Sequence, residues 1–375
     1  MRTIIYLDNN ATTPLDPQVL ESLVLNLKTS FGNPSSSHFL GQEAKALLQK
    51  ARDKIAKYFH VSSREVIFTS GATEALNLLL RGFLEGKKAH VVTSDLEHSA
   101  VFATLKSLES EEIKVSYMNG GLYGAPTLSQ VEEACKNGAS LIVLMAVNNE
   151  TGVRTDIEAI AAFAKEKNIP FIVDGVALFG KELFLIPEGV SAICFSGHKI
   201  HAPKGIGFMI VRKSIKLKPL MTGGDQEFGK RAGTENMPAI IALETAIDVL
   251  EKSLSDAVLR MKTLRDKFEE SLLANLSNVE INGKGPRVCN VSNICFKGID
   301  GELLLAKLGM EGIFASLGSA CASGALEPSR ILLQMGLSME EAVSSIRFSF
   351  SRFTTEEEIE KAVKIIIKIV KNEKN

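Results

Sequence analysis

Between residues 60 and 215, short apolar runs alternate with stretches whose apolar residues recur at helical spacing. The runs "EVIFTS", "AHVVTS", "LIVLMAV", "PFIV" and "AICF" are too short for buried helices and are bounded by polar residues, which predicts strands. Between them, "ATEALNLLLRGFL" places Leu76, Leu79, Leu80, Phe83 and Leu84 on one helical face. "TDIEAIAAFAKEKN" does the same with Ile157, Ile160, Ala161 and Ala164, and spaces Thr155 and Glu158 as a capping box. Strands joined by helices in this order predict an α/β domain with a mainly parallel central sheet. Beyond residue 250 the pattern changes. A long polar helix, "LSDAVLRMKTLRDKFEESLLANL", leads to strand-like "RVCNVSNICF" and "SIRFSFSRF", and then to a helix opening at Thr355 with Ile359, Val363, Ile366 and Val370 in register. This predicts a smaller α+β domain. The expected division is 15–255 for the large domain, with 1–14 and 256–375 forming the small one, because 375 residues exceed what one core accommodates.

Each predicted strand ends in chemistry. "EVIFTS" runs into Ala72 and Thr73, "AHVVTSDLEH" reaches His98, and "LIVLMAV" stops at Asn148, Asn149 and Glu150. "PFIV" stops at Asp174, and "AICF" at Ser196, Gly197, His198 and Lys199. In open α/β sheets ligands bind beyond the carboxyl ends of the strands, so these endings should share one crevice. The helix start at "SGAT" offers free N–H groups and a positive dipole end, an anion site that needs no lysine. In "SIRFSFSRF", Arg347 alternates with Ile346, Phe348 and Phe350 and points away from the packed face, either solvated or as a carboxylate clamp.

Composition removes several classes of function. Lys plus Arg (43) nearly balance Asp plus Glu (44), so no net field recruits nucleic acid or an anionic membrane. "MRTIIYLDNNATTP" lacks the apolar core of a secretory signal, and no apolar run approaches the ~20 residues of a membrane span, so a cytoplasmic protein is expected. No GxxxxGK[ST] motif supports a P-loop enzyme. The cysteines at 135, 194, 289, 295 and 321 form no CxxC, which argues against a disulfide framework or a structural metal site. Cys321 differs from the others. It sits among small residues in "ASLGSACASGALEPS", a segment expected to be poorly ordered or in more than one position.

Taken singly, Asp174 can cap a turn, His98 can be a satisfied histidine and Lys199 a surface lysine. Together with the helix start they meet the needs of pyridoxal phosphate: N–H donors for the phosphate, a carboxylate for the ring nitrogen and an amine for the aldehyde. The sequence resembles the cysteine desulfurases, in the class V aminotransferase group of fold-type I pyridoxal phosphate enzymes. The likeness runs nearly end to end, through "YLDNNATTP", "FGNPSSSH", "FTSGATEALN", "VNNETG", "SGHKIHAPKGIG", "RAGTEN", "GSACASGALEPS" and "SSIRFSFSRFTTEEEI".

The long segment around Cys321 resembles the group that serves iron-sulfur assembly. The resemblance implies that Lys199 forms the Schiff base and moves protons, that Asp174 pairs with the pyridine nitrogen, and that His98 stacks on the ring and serves as a local base. Thr73, Ser196 and His198 would hold the phosphate with Ala72 beside them, joined by Thr234 of a second subunit in an obligate homodimer. Asn149 would lie beside cofactor and substrate, Arg347 would clamp the carboxylate of L-cysteine, and Cys321 would take the sulfur as a persulfide. Alanine would be the co-product, and an iron-sulfur scaffold or another acceptor protein the partner, with RNA thiolation as a further outlet. A selenocysteine lyase, a class V aminotransferase without the sulfur step, and a catalytically weakened scaffold are the alternatives.

The chain departs from the family pattern at Ala177, where a glutamine usually bonds the cofactor's phenolic oxygen, and reduced but real activity is expected from it. Ala202, Asp225 and Leu317 are smaller departures. The ending "KIVKNEKN" is shorter than the tail that helps some members dock a scaffold protein, which leaves the acceptor open.

Overall fold

A computed structural model describes residues 4–318 and 328–373. The strands are β1 (Ile5–Tyr6), β2 (Val66–Thr69), β3 (Ala89–Ser94), β4 (Ile113–Met118), β5 (Leu141–Met145), β6 (Phe171–Asp174), β7 (Ala192–Ser196), β8 (Gly207–Val211), β9 (Val279–Ile281), β10 (Val291–Phe296), β11 (Ile313–Phe314) and β12 (Ser345–Ser349). Seven of them form one sheet in the order β2-β8-β7-β6-β5-β3-β4. Only β8 runs antiparallel to its neighbours, β2 and β7. The mainly parallel sheet read from the sequence is therefore present.

The helices are α1 (Pro17–Thr29), α2 (Phe39–Tyr58), α3 (Ala72–Leu84), α4 (Ser99–Leu108), α5 (Leu128–Cys135), α6 (Ile157–Glu166), α7 (Met237–Asn275), α8 (Gly301–Met310), α9 (Arg330–Gln334), α10 (Met339–Val343) and α11 (Glu356–Glu373). Helices α1 to α6 and the first part of α7 cover both faces of the large sheet, which explains why its strands read as unbroken apolar runs. In β7, Ile193 and Phe195 belong to the core with α2 and α6, while Ala192 and Cys194 belong to the core with α3 and α4. The face of α3 expected from its periodicity is buried. So is that of α6, but its cap differs: Asp156, not Thr155, accepts the Ala159 N–H at 3.0 Å. Thr155 is held one residue short of the helix because its own N–H donates to the Ala146 carbonyl at 3.0 Å.

The smaller unit contains the antiparallel order β12-β10-β9 and the parallel pair β1-β11, packed against α8, α11 and the second half of α7. Thr355 and Glu358 form the capping box at the start of α11. The polar helix expected after residue 250 begins earlier, at Met237, where Asn236 caps it and Pro238 occupies its first turn. The division expected between 255 and 256 therefore falls inside a continuous helix of 39 residues. Its early apolar residues, through Met261, join the core of the large sheet, and Leu264, Phe268 and Leu272 join that of the small one. Among the described residues, no helix is long and apolar enough to cross a membrane.

Candidate active site

The carboxyl ends of the large sheet open on a cavity of about 170 Å³. It is lined by Ala72 and Thr73 at the start of α3, His98 after β3, Asn149 after β5, Asp174 at the end of β6, and Ser196, His198 and Lys199 at and after β7, with Arg347 entering from β12. Thr234 is not part of this lining and is exposed in the single chain. Cys321, and with it the expectation of a loosely held segment, lies outside the described residues.

The anion end is built by close backbone packing. A Cβ on Gly207 would stand 2.6 Å from the Phe195 carbonyl oxygen and 2.7 Å from Gly71 Cα, so the approach of β8 to the start of α3 requires glycine. That packing sets the Ala72 N–H to donate to Ser196 Oγ at 2.9 Å, beside first-turn N–H groups that have no acceptor within the helix. His198 stands next to them, its Nδ1 3.2 Å from Thr12 Oγ1. Burial first, then the charges of Lys199 and Lys204, push its pKa down to about 4, so the ring is neutral at neutral pH.

Lys199 donates to the carbonyls of Asn10 and Ala11, the latter at 2.8 Å. Asn10 is itself fixed, donating from Nδ2 to the Asn149 carbonyl at 2.7 Å and from its N–H to Ser349 Oγ at 2.8 Å. His98 caps α4, its Nδ1 accepting the Ala100 N–H at 3.1 Å, which leaves Nε2 as the atom that carries the proton in the neutral ring. Asp174 accepts the Val176 N–H at 3.0 Å. Burial holds its carboxyl above the usual carboxylate range, against the pull of His98 and Lys199.

Arg347 is not solvated: its side chain is 2% exposed. The side chains along β12 do alternate, but the face opposite the small core is covered by Asn149 of the large domain and by Asp8 in the segment after β1. Arg347 donates from Nη2 to Asp8 Oδ1 at 2.9 Å and from Nη1 to the Asn149 carbonyl at 3.0 Å. Its Nε is enclosed and has no partner among the described residues. A buried donor of this kind seeks an acceptor, and a carboxylate entering the cavity supplies one.

Residues 5–362 match the family model described as Aminotransferase class-V. The chain belongs to the class V aminotransferase family. A relative, cysteine desulfurase 2 of Trichormus variabilis, is 42% identical over 372 residues, covering 98% of this chain and 93% of that protein. A solved NifS-like protein superposes with a TM-score of 0.91 at 34% identity, over 99% of this chain and all of the other. SspA, solved in complex with cysteine, gives a TM-score of 0.81 at 32% identity over 93% of this chain and 99% of its own.

Class V aminotransferase proteins depend on pyridoxal phosphate, and this site fits that group. The glycine-dependent helix start suits its phosphate, buried Asp174 suits its ring nitrogen, Lys199 suits its aldehyde, and the apolar walls of Leu76, Met145, Val147 and Val176 suit its ring. Ala177, on the cavity wall and 9% exposed, presents only a methyl group there. Ala177→Gln is expected to raise turnover about tenfold, the effect of ~1.5 kcal/mol from one added hydrogen bond. Steady-state rates of the two proteins check this, and an unchanged or lower rate in the variant counts against it.

Some supporting residues were not foreseen. Asp8 and Asn10 entered only as letters of a motif, and nothing in "LFGKEL" marks Lys181 as wholly enclosed. Its Nζ donates to the Lys199 carbonyl at 3.0 Å, and burial pushes its pKa down to about 8. His201, close by with φ at 68°, places Nδ1 2.9 Å from the Pro14 carbonyl oxygen. Burial, with Lys181 and Arg352, pushes its pKa down to about 3 from an ordinary 6.5. The folded protein therefore resists a proton that the unfolded chain accepts, and stability is lost as pH falls through and below the ordinary value. Acidification from neutrality to about pH 4 should remove about 3 kcal/mol through His201, with His198 acting in the same direction. His201→Asn, which tolerates the left-handed backbone, should flatten this limb in urea unfolding measured across that range.

Proposed function

We propose that this chain is a pyridoxal phosphate-dependent cysteine desulfurase that converts L-cysteine to L-alanine and takes the sulfur onto Cys321 as a persulfide. The observation that carries the reading is the convergence of Lys199, Asp174, His98 and Arg347, from separate elements, on one cavity. When bound, pyridoxal phosphate supplies an electron sink for the bonds at the substrate's Cα and Cβ. The chain's own groups do the rest. Arg347, through its unpartnered Nε, takes the substrate carboxylate and with Asn149 orients it. Asp174 holds the positive end of the cofactor ring, and Ala72, Thr73, Ser196 and His198 hold its phosphate. Lys199 Nζ receives the proton that Cα gives up and returns a proton to Cα before alanine leaves, and His98 Nε2 is placed to pass protons at the sulfur. The Cys321 thiolate attacks the substrate sulfur and the Cβ–S bond breaks. Its electron pair stays on carbon, which takes a proton and becomes the methyl group of alanine.

Residues 15–255 form the cofactor-binding domain in this reading, and 1–14 with 256–375 the domain that carries Arg347 and Cys321. The working unit is a homodimer. Leu25, Leu27, Phe31, Phe39 and Phe228 are exposed apolar side chains that a second copy would cover, and exposed Thr234 would reach the neighbouring cavity. The persulfide passes to an iron-sulfur scaffold or another acceptor protein in the cytoplasm, with RNA thiolation a further outlet. The test adds L-cysteine to the holoenzyme and looks for alanine and for a gain of one sulfur atom on the peptide containing Cys321. A Cys321→Ala variant that still mobilises sulfur at full rate would refute the reading and favour a selenocysteine lyase. A purified protein without visible-range cofactor absorbance would favour the scaffold.

A further inference from the structure

Lys199 sits in one tight turn after β7, Gly197–Lys199, which is too short to fix its residues by hydrogen bonds of its own. Side chains from elsewhere hold it. Thr13 Oγ1 donates to the His198 carbonyl at 2.8 Å and accepts the His201 N–H at 2.9 Å. The next carbonyl, that of Lys199, accepts from Lys181 Nζ at 3.0 Å. Lys181 belongs to the turn that follows Asp174. There the Val176 N–H donates to Asp174 Oδ1 at 3.0 Å, the Leu178 and Phe179 N–H groups both donate to the Gly175 carbonyl at 3.1 Å, and the Lys181 N–H donates to the Leu178 carbonyl at 3.0 Å. Gly180 has φ at 75°, and a Cβ on it would stand 2.8 Å from Ile200 Cγ2. The turn after Asp174 is therefore packed against the residue after Lys199, and Lys181 bonds the two turns together.

Packing alone does not call for a lysine at this place. Lys181 is 4% exposed, and no carboxylate among the described residues pairs with it. The titratable and charged groups that face it are Cys289, whose thiol donates to the Lys181 carbonyl at 3.0 Å, together with His201 and Arg352. Arg352 is itself taken by Asp16. An enclosed ammonium without a counter-charge is unfavourable, and an apolar side chain of similar length would fill the same space at less cost. What the apolar side chain would lack is the hydrogen bond to the Lys199 carbonyl.

We propose that Lys181 is a positioning residue for Lys199: by bonding the Lys199 carbonyl it ties the turn that presents the amine to the turn that carries Asp174, so that the two groups keep a fixed separation. A cofactor held at its ring nitrogen by one and at its aldehyde by the other needs that separation, because a small misplacement of reacting groups slows a reaction severely. This rests on the reading of Lys199 as the amine for the cofactor's aldehyde, and the test separates the two. Lys181→Met and Lys181→Gln have the same length and differ in the terminal N–H. In the holoenzyme, Lys181→Met should lower kcat for alanine formation about tenfold, with KM for L-cysteine within about twofold of wild type. When pyridoxal phosphate is added back to the stripped protein, the visible cofactor absorbance should return about tenfold more slowly than in wild type. The urea midpoint of Lys181→Met should equal or exceed that of wild type, since a buried charge has been removed. A residue that only supported the fold would show the opposite. Lys181→Gln, which can still donate to the Lys199 carbonyl, should recover most of both rates. Wild-type rates in Lys181→Met, equal damage from glutamine, or a loss of rate that comes with a lower urea midpoint or a failure to fold overturns the inference. A Lys199→Ala protein that borohydride still links to the cofactor instead overturns the Lys199 reading. If the wild-type protein yields no alanine from L-cysteine, the desulfurase reading falls, and the return of cofactor absorbance still decides the role of Lys181.

Discussion

Lys199→Ala is expected to lower the rate of alanine formation about 10⁴-fold, the upper range for loss of a positioned acid-base group. The structure shows why no neighbour should replace it. Lys199 stands over the Asn10 and Ala11 carbonyls, which accept hydrogen bonds and hold no proton. His98 Nδ1 is committed to the Ala100 N–H, and Lys181 is turned to the other side, donating to the Lys199 carbonyl. Borohydride reduction should then fail to fix the cofactor to the chain, while the fold, read by circular dichroism, persists. A residual rate above about 1% of wild type would mean that another group moves the Cα proton, with His98 Nε2 the first to examine.

Arg347→Lys should lower kcat/KM for L-cysteine about 100-fold, or about 2.8 kcal/mol, with a smaller change in kcat. Lysine keeps the charge but loses the fork through which Arg347 holds Asp8 and the Asn149 carbonyl while Nε remains available. Arg347→Ala should do more. It leaves the half-buried Asp8 without its partner and empties the space of a fully enclosed side chain, and about 3 kcal/mol of stability should be lost as well. Steady-state kinetics with cysteine, alongside urea unfolding of both variants, separate the binding effect from the folding effect. A lysine variant with unchanged KM would remove Arg347 from the substrate clamp.

Much of this was legible in the sequence because local pattern and fold agree. The strands that lead to His98, Asn149, Asp174 and Ser196 announce themselves as short apolar runs, and parallel topology brings such ends together whatever the loops between them do. Arg347 was harder. Alternation along one strand tells which side chains share a face, but not what lies over that face, and the covering comes from residues 198 and 339 positions away in the chain. Lys181 was not legible at all, since its burial depends on the packing of the "VDGVALFGK" turn beneath Lys199 and a lysine ordinarily reads as surface. The cap of α6 failed for a related reason: Thr155 has the right spacing, yet a main-chain bond to Ala146 holds it outside the helix. Capping boxes are read from side chains, and neighbouring strands can overrule them. For Thr234 only the resemblance supplied an expectation, and in a single copy it is exposed and outside the cavity lining.

The long helix α7 has a consequence for how the molecule comes apart. At ~1.5 Å per residue it is a rod of about 58 Å whose first half is built into one core and whose second half into the other. Neither core can melt without freeing half of a helix on which the other depends. Heating should therefore give one cooperative transition in the calorimeter, with calorimetric and van't Hoff enthalpies in agreement, rather than the separate meltings expected of two bodies joined by a flexible linker.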